Sequence, residues 1–250
     1  MRSWHYLTLA ALCLRAQAHA AEPAFPTRPI RFIVPNAAGG STDLVARTVA
    51  QKLSESLGQQ VVVDNRPGSG GIIGTELVAK AAPDGHTLLM GTIGNIAISP
   101  HLYRKLSYDP VRDFTPITQL ASAAYMLVTH PSLPVKNVRE LVALARGKPG
   151  QVSYASAGSG TGSHLSAELF RSAAKVDLLH VPYKGGTPAL TDVIAGHVQI
   201  MFNGIPSSMP HLKTGRIRAL AVTTSTRSPA APELMTMADA GYPGAESTSW

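Results

Sequence analysis

Ile30-Arg31-Phe32-Ile33-Val34-Pro35-Asn36-Ala37-Ala38-Gly39-Gly40-Ser41-Thr42-Asp43 is the stretch on which the fold reading turns. Its first five residues are mostly apolar and β-branched, which reads as a strand. From residue 43 to 57 the period changes. Leu44, Val45, Val49, Leu53 and Leu57 share one stripe, which predicts a helix that Gly58 stops. Between strand and helix, two glycines let the backbone come close to a ligand, and Ser41, Thr42 and Asp43 suit a helix N-cap or first turn. A helix N-terminus offers unpaired N–H donors and a positive dipole end, so this junction is a ready anion site. The plainer reading, that Ser41 or Thr42 does no more than cap the helix, fits these residues as well.

The same unit recurs along the chain. Residues 61–63 read as a second strand, 72–81 as a second helix and 87–90 as a third strand. Residues 107–116 are rich in Pro and Asp (Tyr108-Asp109-Pro110, Asp113, Pro116) and read as a connection between domains. A second series follows, with strands at 125–129, 152–155, 178–181, 199–202 and 218–222, and helices at 138–145, 161–175 and 187–194. Such alternation predicts parallel or mixed sheets with helices on both faces. Two α/β units without a long linker imply two lobes packed around a cleft, a favoured place for a ligand.

Residues 1–20 are expected to lie outside this fold. Arg2 precedes a short apolar run at 6–14, and Ala18-His19-Ala20 supplies the small residues of a cleavage site, which together form the layout of a secretory signal peptide. The apolar run is too short to span a bilayer, and no later stretch is long enough either. The single cysteine, Cys13, falls inside it, with Leu12 in front where lipidation would need a small residue. The mature chain is thus expected to lack disulfides, thiolate metal sites and cysteine nucleophiles. Losing Arg2 and Arg15 lowers the formal charge from +7 to +5. That excess is spread out, with 6% aromatic residues and no Lys/Arg run, unlike the clustered basic face of a nucleic-acid binder. A diffuse positive field suits small anions.

Two further junctions carry chemistry. Ala155-Ser156-Ala157-Gly158-Ser159-Gly160-Thr161-Gly162-Ser163-His164 joins a strand to a helix, and interleaves glycines with hydroxyl residues more densely than a tight turn needs. Backbone N–H groups and hydroxyls of this kind hold a carboxylate without a buried cation. A phosphate would suit the loop too, but Ser163 stands where the dinucleotide fingerprint needs its third glycine. Val181-Pro182-Tyr183-Lys184-Gly185-Gly186-Thr187-Pro188 again leads from strand to helix, with Pro188 in the first turn. Lys184 there is either a direct charge for an anion or an ordinary exposed turn lysine. The glycines of Asn65-Arg66-Pro67-Gly68-Ser69-Gly70-Gly71-Ile72-Ile73-Gly74 read as allowing close helix–sheet packing.

Catalytic constellations are missing from the sequence. It contains no G-x-S-x-G elbow, and His86, His101, His130, His164, His180, His197 and His211 show no metal-ligand spacing. His164, in the first turn of its helix, is the one histidine placed near a candidate site. Asp84, Asp109 and Asp113 sit in turns, where turn chemistry is their usual role.

Taken in order, these segments resemble the periplasmic receptors of tripartite tricarboxylate transporters, the Bug (Bordetella uptake gene) family. The resemblance rests on Arg28-Pro-Ile-Arg-Phe-Ile-Val-Pro with Ala38-Gly-Gly-Ser-Thr-Asp43, on Asn65-Arg-Pro-Gly, on Pro83-Asp-Gly-His-Thr-Leu88, and on Tyr108-Asp-Pro with Asp113-Phe-Thr-Pro-Ile. It continues through Tyr154-Ala-Ser-Ala-Gly-Ser-Gly-Thr161, His180-Val-Pro-Tyr-Lys-Gly-Gly186 and Arg218-Ala-Leu-Ala-Val-Thr223, so it covers essentially the whole mature chain.

The resemblance implies a two-lobed α/β fold of the type II periplasmic-binding-protein class, each lobe a mixed β-sheet flanked by helices. The first lobe is expected at 21–122 and 224–250 and the second at 123–223. Relatives hold a carboxylate between two strand–turn–helix pincers, which map here onto residues 39–43 and 156–161. The expected ligand-binding set is Asn36, Ala38, Gly39, Gly40, Ser41, Thr42, Asp43, Thr92, Ser156, Gly158, Ser159, Gly160, Thr161, His164, Lys184 and Asn203. Many relatives have aspartate at the position of Asn203, so the uncharged amide here leans towards a carboxylate without an amino group. The implied role is a monomeric, non-catalytic periplasmic receptor. It captures a small di- or tricarboxylate or related organic acid and docks transiently on two integral-membrane subunits, with no cofactor, metal or nucleic acid. A sensing module for a two-component system is the alternative, and an exported hydrolase the least supported reading. Ser247-Thr248-Ser249-Trp250 resembles the start of a strand that in relatives leads into further elements completing the first lobe, so that lobe is expected to be incomplete and to fold marginally.

Overall fold

Ile30, Phe32, Ile33 and Val34 are all buried, so β1 (Ile30–Val34) is covered on both faces, as a central parallel strand must be. The structure, a computed structural model, describes residues 24–250; the expected signal segment and Cys13 lie outside them. β1 pairs in parallel with β2 (Val61–Asn65) on one side and β3 (Thr87–Leu89) on the other, so the three described strands of this sheet all run the same way. The crossovers are α1 (Ser41–Leu57) and α2 (Ile72–Ala79). Gly58 ends α1 in the left-handed conformation, and Ala46 and Ala50 of α1 pack on Ile30, Phe32, Val34, Val61 and Met90. A wide turn at Gly94–Ile98 then runs into the short α3 (Ser99–Leu102).

The second sheet has the order β6-β5-β7-β4-β8, with β9 added on β4. Its members are β4 (Ala123–Thr129), β5 (Ser153–Ser156), β6 (Leu179–Pro182), β7 (Ile200–Gly204), β8 (Arg218–Val222) and β9 (Thr248–Ser249). β5 is parallel to β6 and β7, while β4 runs antiparallel to β7, β8 and β9, so this sheet is mixed. Strand periodicity divides the side chains between two cores. Leu127, Ile200 and Phe202 meet the helices α4 (Val138–Gly147) and α5 (Gly162–Ala174) on one face. Met126, Val128 and Met201 meet α6 (Gly186–Ile194) and α7 (Ile205–Lys213) on the other. Asn137 caps α4 by accepting the Glu140 N–H at 2.9 Å, and its side-chain amide donates to the Glu140 carboxylate at 2.8 Å.

The segment after Thr223, expected to return to the first lobe, makes its apolar contacts on the second sheet. Ala231 joins the core around Met201, and Met237, Ala240 and Ala245 join the core around Phe202. Backbone hydrogen bonds tie it there: Val222 donates to the Met235 carbonyl at 2.9 Å and Met237 donates to the Val222 carbonyl at 3.0 Å. Among the described residues, no helix is long and apolar enough to cross a membrane.

Candidate functional site

Four helices begin at the cleft between the two sheets. Gly40, Thr161, Gly185 and Gly204 occupy the N-cap positions of α1, α5, α6 and α7, and none of them gives its helix a side-chain cap. The first-turn N–H groups that a cap would satisfy therefore have no side-chain acceptor from that position. Gly40, Ser41 and Thr42 of the first junction, Thr161, Gly162 and Ser163 of the second, and Gly186 and Gly204 at the starts of α6 and α7 all line one cavity of about 580 Å³. No side chain among its described lining residues carries a formal charge.

The two sides of the cleft touch directly. Ser41 and Ser207 hydroxyl oxygens lie 2.9 Å apart, and the Thr187 hydroxyl donates to the Ala38 carbonyl at 2.7 Å. Two glycines make room for this approach. A Cβ on Gly185 would lie 2.5 Å from the Ala37 Cβ, and one on Gly70 would run into the Ser159 carbonyl. Gly74 serves the packing expected of its cluster, since a Cβ there would sit 2.8 Å from the Arg66 carbonyl. Gly70, from the same cluster, faces the opposite lobe instead.

Of the expected binding residues, Asn36, Gly40, Ser41, Thr42, Thr92, Thr161 and Asn203 line the cavity. The others lie outside that lining, several for visible reasons. Asp43 is buried and spends its carboxylate on the Gly39 N–H at 2.9 Å, Arg47 Nε at 2.9 Å and Asn65 Nδ2 at 2.9 Å. Burial alone would raise its pKa, but the bonds from Arg47, Gly39 and Asn65 outweigh it and hold the carboxyl below its ordinary range. Asp43 thus shapes the first loop from within. Ser156 is fully buried, with its Oγ accepting the Gly158 N–H at 3.2 Å. His164 accepts the Gly160 N–H on Nδ1 at 3.2 Å, and Thr161 donates its hydroxyl to the Gly158 carbonyl at 2.6 Å. Gly158, Ser159 and Gly160 form the loop these groups shape, Ala38 and Gly39 stand on its counterpart, and Lys184 is exposed away from the cavity lining.

The structure also adds residues that the sequence did not single out. Ala157, Gly162 and Ser163 of the second junction, outside the expected binding set, line the cavity, as do Tyr125, Met201 and Gly204. Phe114, from the stretch read as a plain connection, and Ile117 and Leu120 just after it contribute an apolar wall together with Val45 and Leu89. Proline and aspartate there obscured these apolar residues, which belong to no helix or strand.

Ser156 and His180 stand 2.6 Å apart, Oγ to Nε2, a pairing that superficially matches a nucleophile and its base. Ser156 has no exposed surface and does not line the cavity, so no substrate carbonyl reaches it. His180 lies in a stack with Tyr154 at 4.7 Å and His164 at 4.3 Å between ring centroids. Burial, with a smaller push from His164, lowers its pKa to about 4. His164 is lowered as well, chiefly by burial. The pair therefore supports the second loop from behind.

This arrangement of two α/β lobes with facing loop–helix junctions has close counterparts. The family described as the tripartite tricarboxylate transporter family receptor matches residues 45–250. The chain belongs to that family. The receptor is 45% identical over 228 residues to a UPF0065 protein in the tcbD-tcbE intergenic region of Pseudomonas sp. strain P51, covering 91% of this chain and 68% of the relative. It is 39% identical over 227 residues to protein BugT of Bordetella pertussis strain Tohama I, covering 90% of this chain and 70% of BugT. Among solved structures, the receptor is similar to R. palustris Rpa4515 with adipate, at 43% identity and a TM-score of 0.88, covering 90% of this chain and 76% of that one. It is also similar to MatC (Rpa3494) from Rhodopseudomonas palustris with bound malate, at 35% identity and a TM-score of 0.86, covering 90% and 77%. The receptor thus has the two-lobed fold of periplasmic binding proteins.

Proposed function

We propose that this receptor captures a small organic acid in the cleft, through backbone N–H groups and hydroxyls, and presents it to the two integral-membrane subunits of a tripartite transporter. The observation that carries this reading is the convergence on one cavity of four helix N-termini, none capped by the side chain of its own N-cap residue, with no charged side chain in the described lining. A carboxylate accepting several N–H bonds in such a place gains charge-assisted hydrogen bonds, each worth about twice a neutral one. The adipate and malate of the two solved relatives are carboxylates, which agrees with the same chemistry here. Residues 1–20 serve as the export signal, and the chain acts as a monomer without turnover. The buried Ser156 and the lack of a charged side chain along the described cavity wall support the non-catalytic part.

A thermal-shift panel of mono-, di- and tricarboxylates, amino acids and neutral sugars tests the proposal. A ligand in thousandfold excess over its Kd stabilises by about 4 kcal/mol, a shift of several degrees. Stabilisation by a sugar or a cation, with no response to any carboxylate, overturns it.

A further inference from the structure

We infer that the bound acid carries a hydroxyl group close to its carboxylate, and that Asn203 selects for it by accepting a hydrogen bond. This deepens the carboxylate reading above and rests on it. Asn203, next to last in β7 and on the same face as Met201, is 5% exposed and lines the cavity. Its amide nitrogen donates to Ser207 Oγ at 3.0 Å and to Ser208 Oγ at 2.9 Å. Both serine hydroxyls in turn donate to the Gly204 carbonyl, at 3.2 and 3.0 Å. With its proton committed there, Ser208 presents a lone pair to Asn203, which fixes the amide with its NH2 towards the serines.

The carbonyl oxygen of Asn203 is left facing Gly186, 3.5 Å from where a Cβ would stand on that residue, and has no partner among the described residues. It is therefore an open acceptor beside the N-terminus of α6, in a cavity that the starts of α1, α5 and α7 also line. A carboxylate on those donors brings its neighbouring carbons past this oxygen. A hydroxyl there supplies the single donor that the acceptor lacks. An ammonium group fits less well, because it brings three donors and a charge to a wall with no anionic side chain.

The test is calorimetry on the full chain with matched pairs, malate against succinate and 3-hydroxybutyrate against butyrate. In at least one pair the hydroxy acid is expected to bind about tenfold tighter or more, since the deoxy acid leaves a buried acceptor unpaired. Asn203→Leu is expected to bring that ratio to within about twofold, a comparison that cancels any general loss of fold. Asn203→Asp, which keeps an acceptor and adds the missing charge, is expected to improve aspartate binding relative to malate by about tenfold or more. Equal binding within both pairs, a ratio that survives Asn203→Leu, or no gain for aspartate in Asn203→Asp overturns the inference while leaving the carboxylate reading intact. If no carboxylate binds at all, both fall together.

Discussion

The hydroxyl oxygens of Ser41, at the start of α1, and Ser207, in α7, lie 2.9 Å apart across the cleft, so the two lobes share a side-chain hydrogen bond at the site itself. Ser207 also offers its N–H to Ser41 Oγ at 3.4 Å. A bond that exists only when the lobes meet contributes to closure, and through it to affinity. Ser207→Ala is expected to weaken ligand binding about 2–10-fold, the range of one net hydrogen bond of about 0.5–1.5 kcal/mol. Adding Ser41→Ala should cost little more, because the two share one interaction. Calorimetry on the single and double variants checks this, and fully additive losses would sink it.

Gly185 is a second closure element, acting by its lack of a side chain. It sits at φ 128°, and an added Cβ would lie 2.5 Å from the Ala37 Cβ and 3.0 Å from the Ala37 backbone nitrogen. Gly185→Ala is expected to keep the fold of each lobe but hold them apart, lowering affinity about tenfold or more. Gly215, at φ 70° with open space around it, provides the control. Gly215→Ala meets the backbone cost of about 1 kcal/mol without touching the cleft. Small-angle scattering with saturating ligand separates the two: the Gly185 variant should remain more extended than the wild type.

Asp43 holds the first loop together, and its contribution shows in stability before it shows in binding. Removing its carboxylate leaves the Gly39 N–H without its acceptor and the Asn65 amide with only the Asn36 carbonyl, while Arg47, about half exposed, turns to water. Asp43→Ala is expected to destabilise the chain by about 1–3 kcal/mol in urea denaturation. Asp43→Asn should lie between, since it keeps one acceptor but opposes a donor to a donor. A wild-type midpoint for Asp43→Ala would remove the residue from this role.

The alternation of strands and helices was legible because each element carries its own period. Ile30–Val34 and Arg218–Val222 appear where the apolar runs place them, and the helix over 43–57 begins two residues earlier, at Ser41. The helix Ile205–Lys213 was not legible, since it contains two prolines, Pro206 and Pro210. Pro206 sits in the first turn, where its missing N–H is not needed, and Pro210 is tolerated inside a short helix. The junction loops could be located from glycine and hydroxyl density alone. Which of their side chains line the cavity could not, because Ser156 and Asp43 differ from Ser41 and Thr42 through partners far away in sequence. Asn65 reaches Asp43, and His180 reaches Ser156, only after the sheets have formed.

The stack of Tyr154, His164 and His180 makes the second loop sensitive to acid. His164 accepts the Gly160 N–H on Nδ1, which requires that nitrogen to be unprotonated. Burial first, and His164 second, push the His180 pKa down to about 4, and burial lowers that of His164. In the unfolded chain both titrate near 6.5, so below that pH the unfolded state binds more protons than the folded one. Stability is therefore fully present above about pH 6.5 and falls as the pH drops towards 4, by on the order of 1–3 kcal/mol. Depressed carboxyls such as Asp43 and Glu168 add a separate loss only at lower pH, when their own protonation begins. Urea midpoints measured from pH 7.5 to 5 should decline, and the decline should flatten in a His164→Gln, His180→Gln double variant. A flat wild-type profile over that range, or an undiminished slope in the double variant, would assign the acid sensitivity elsewhere.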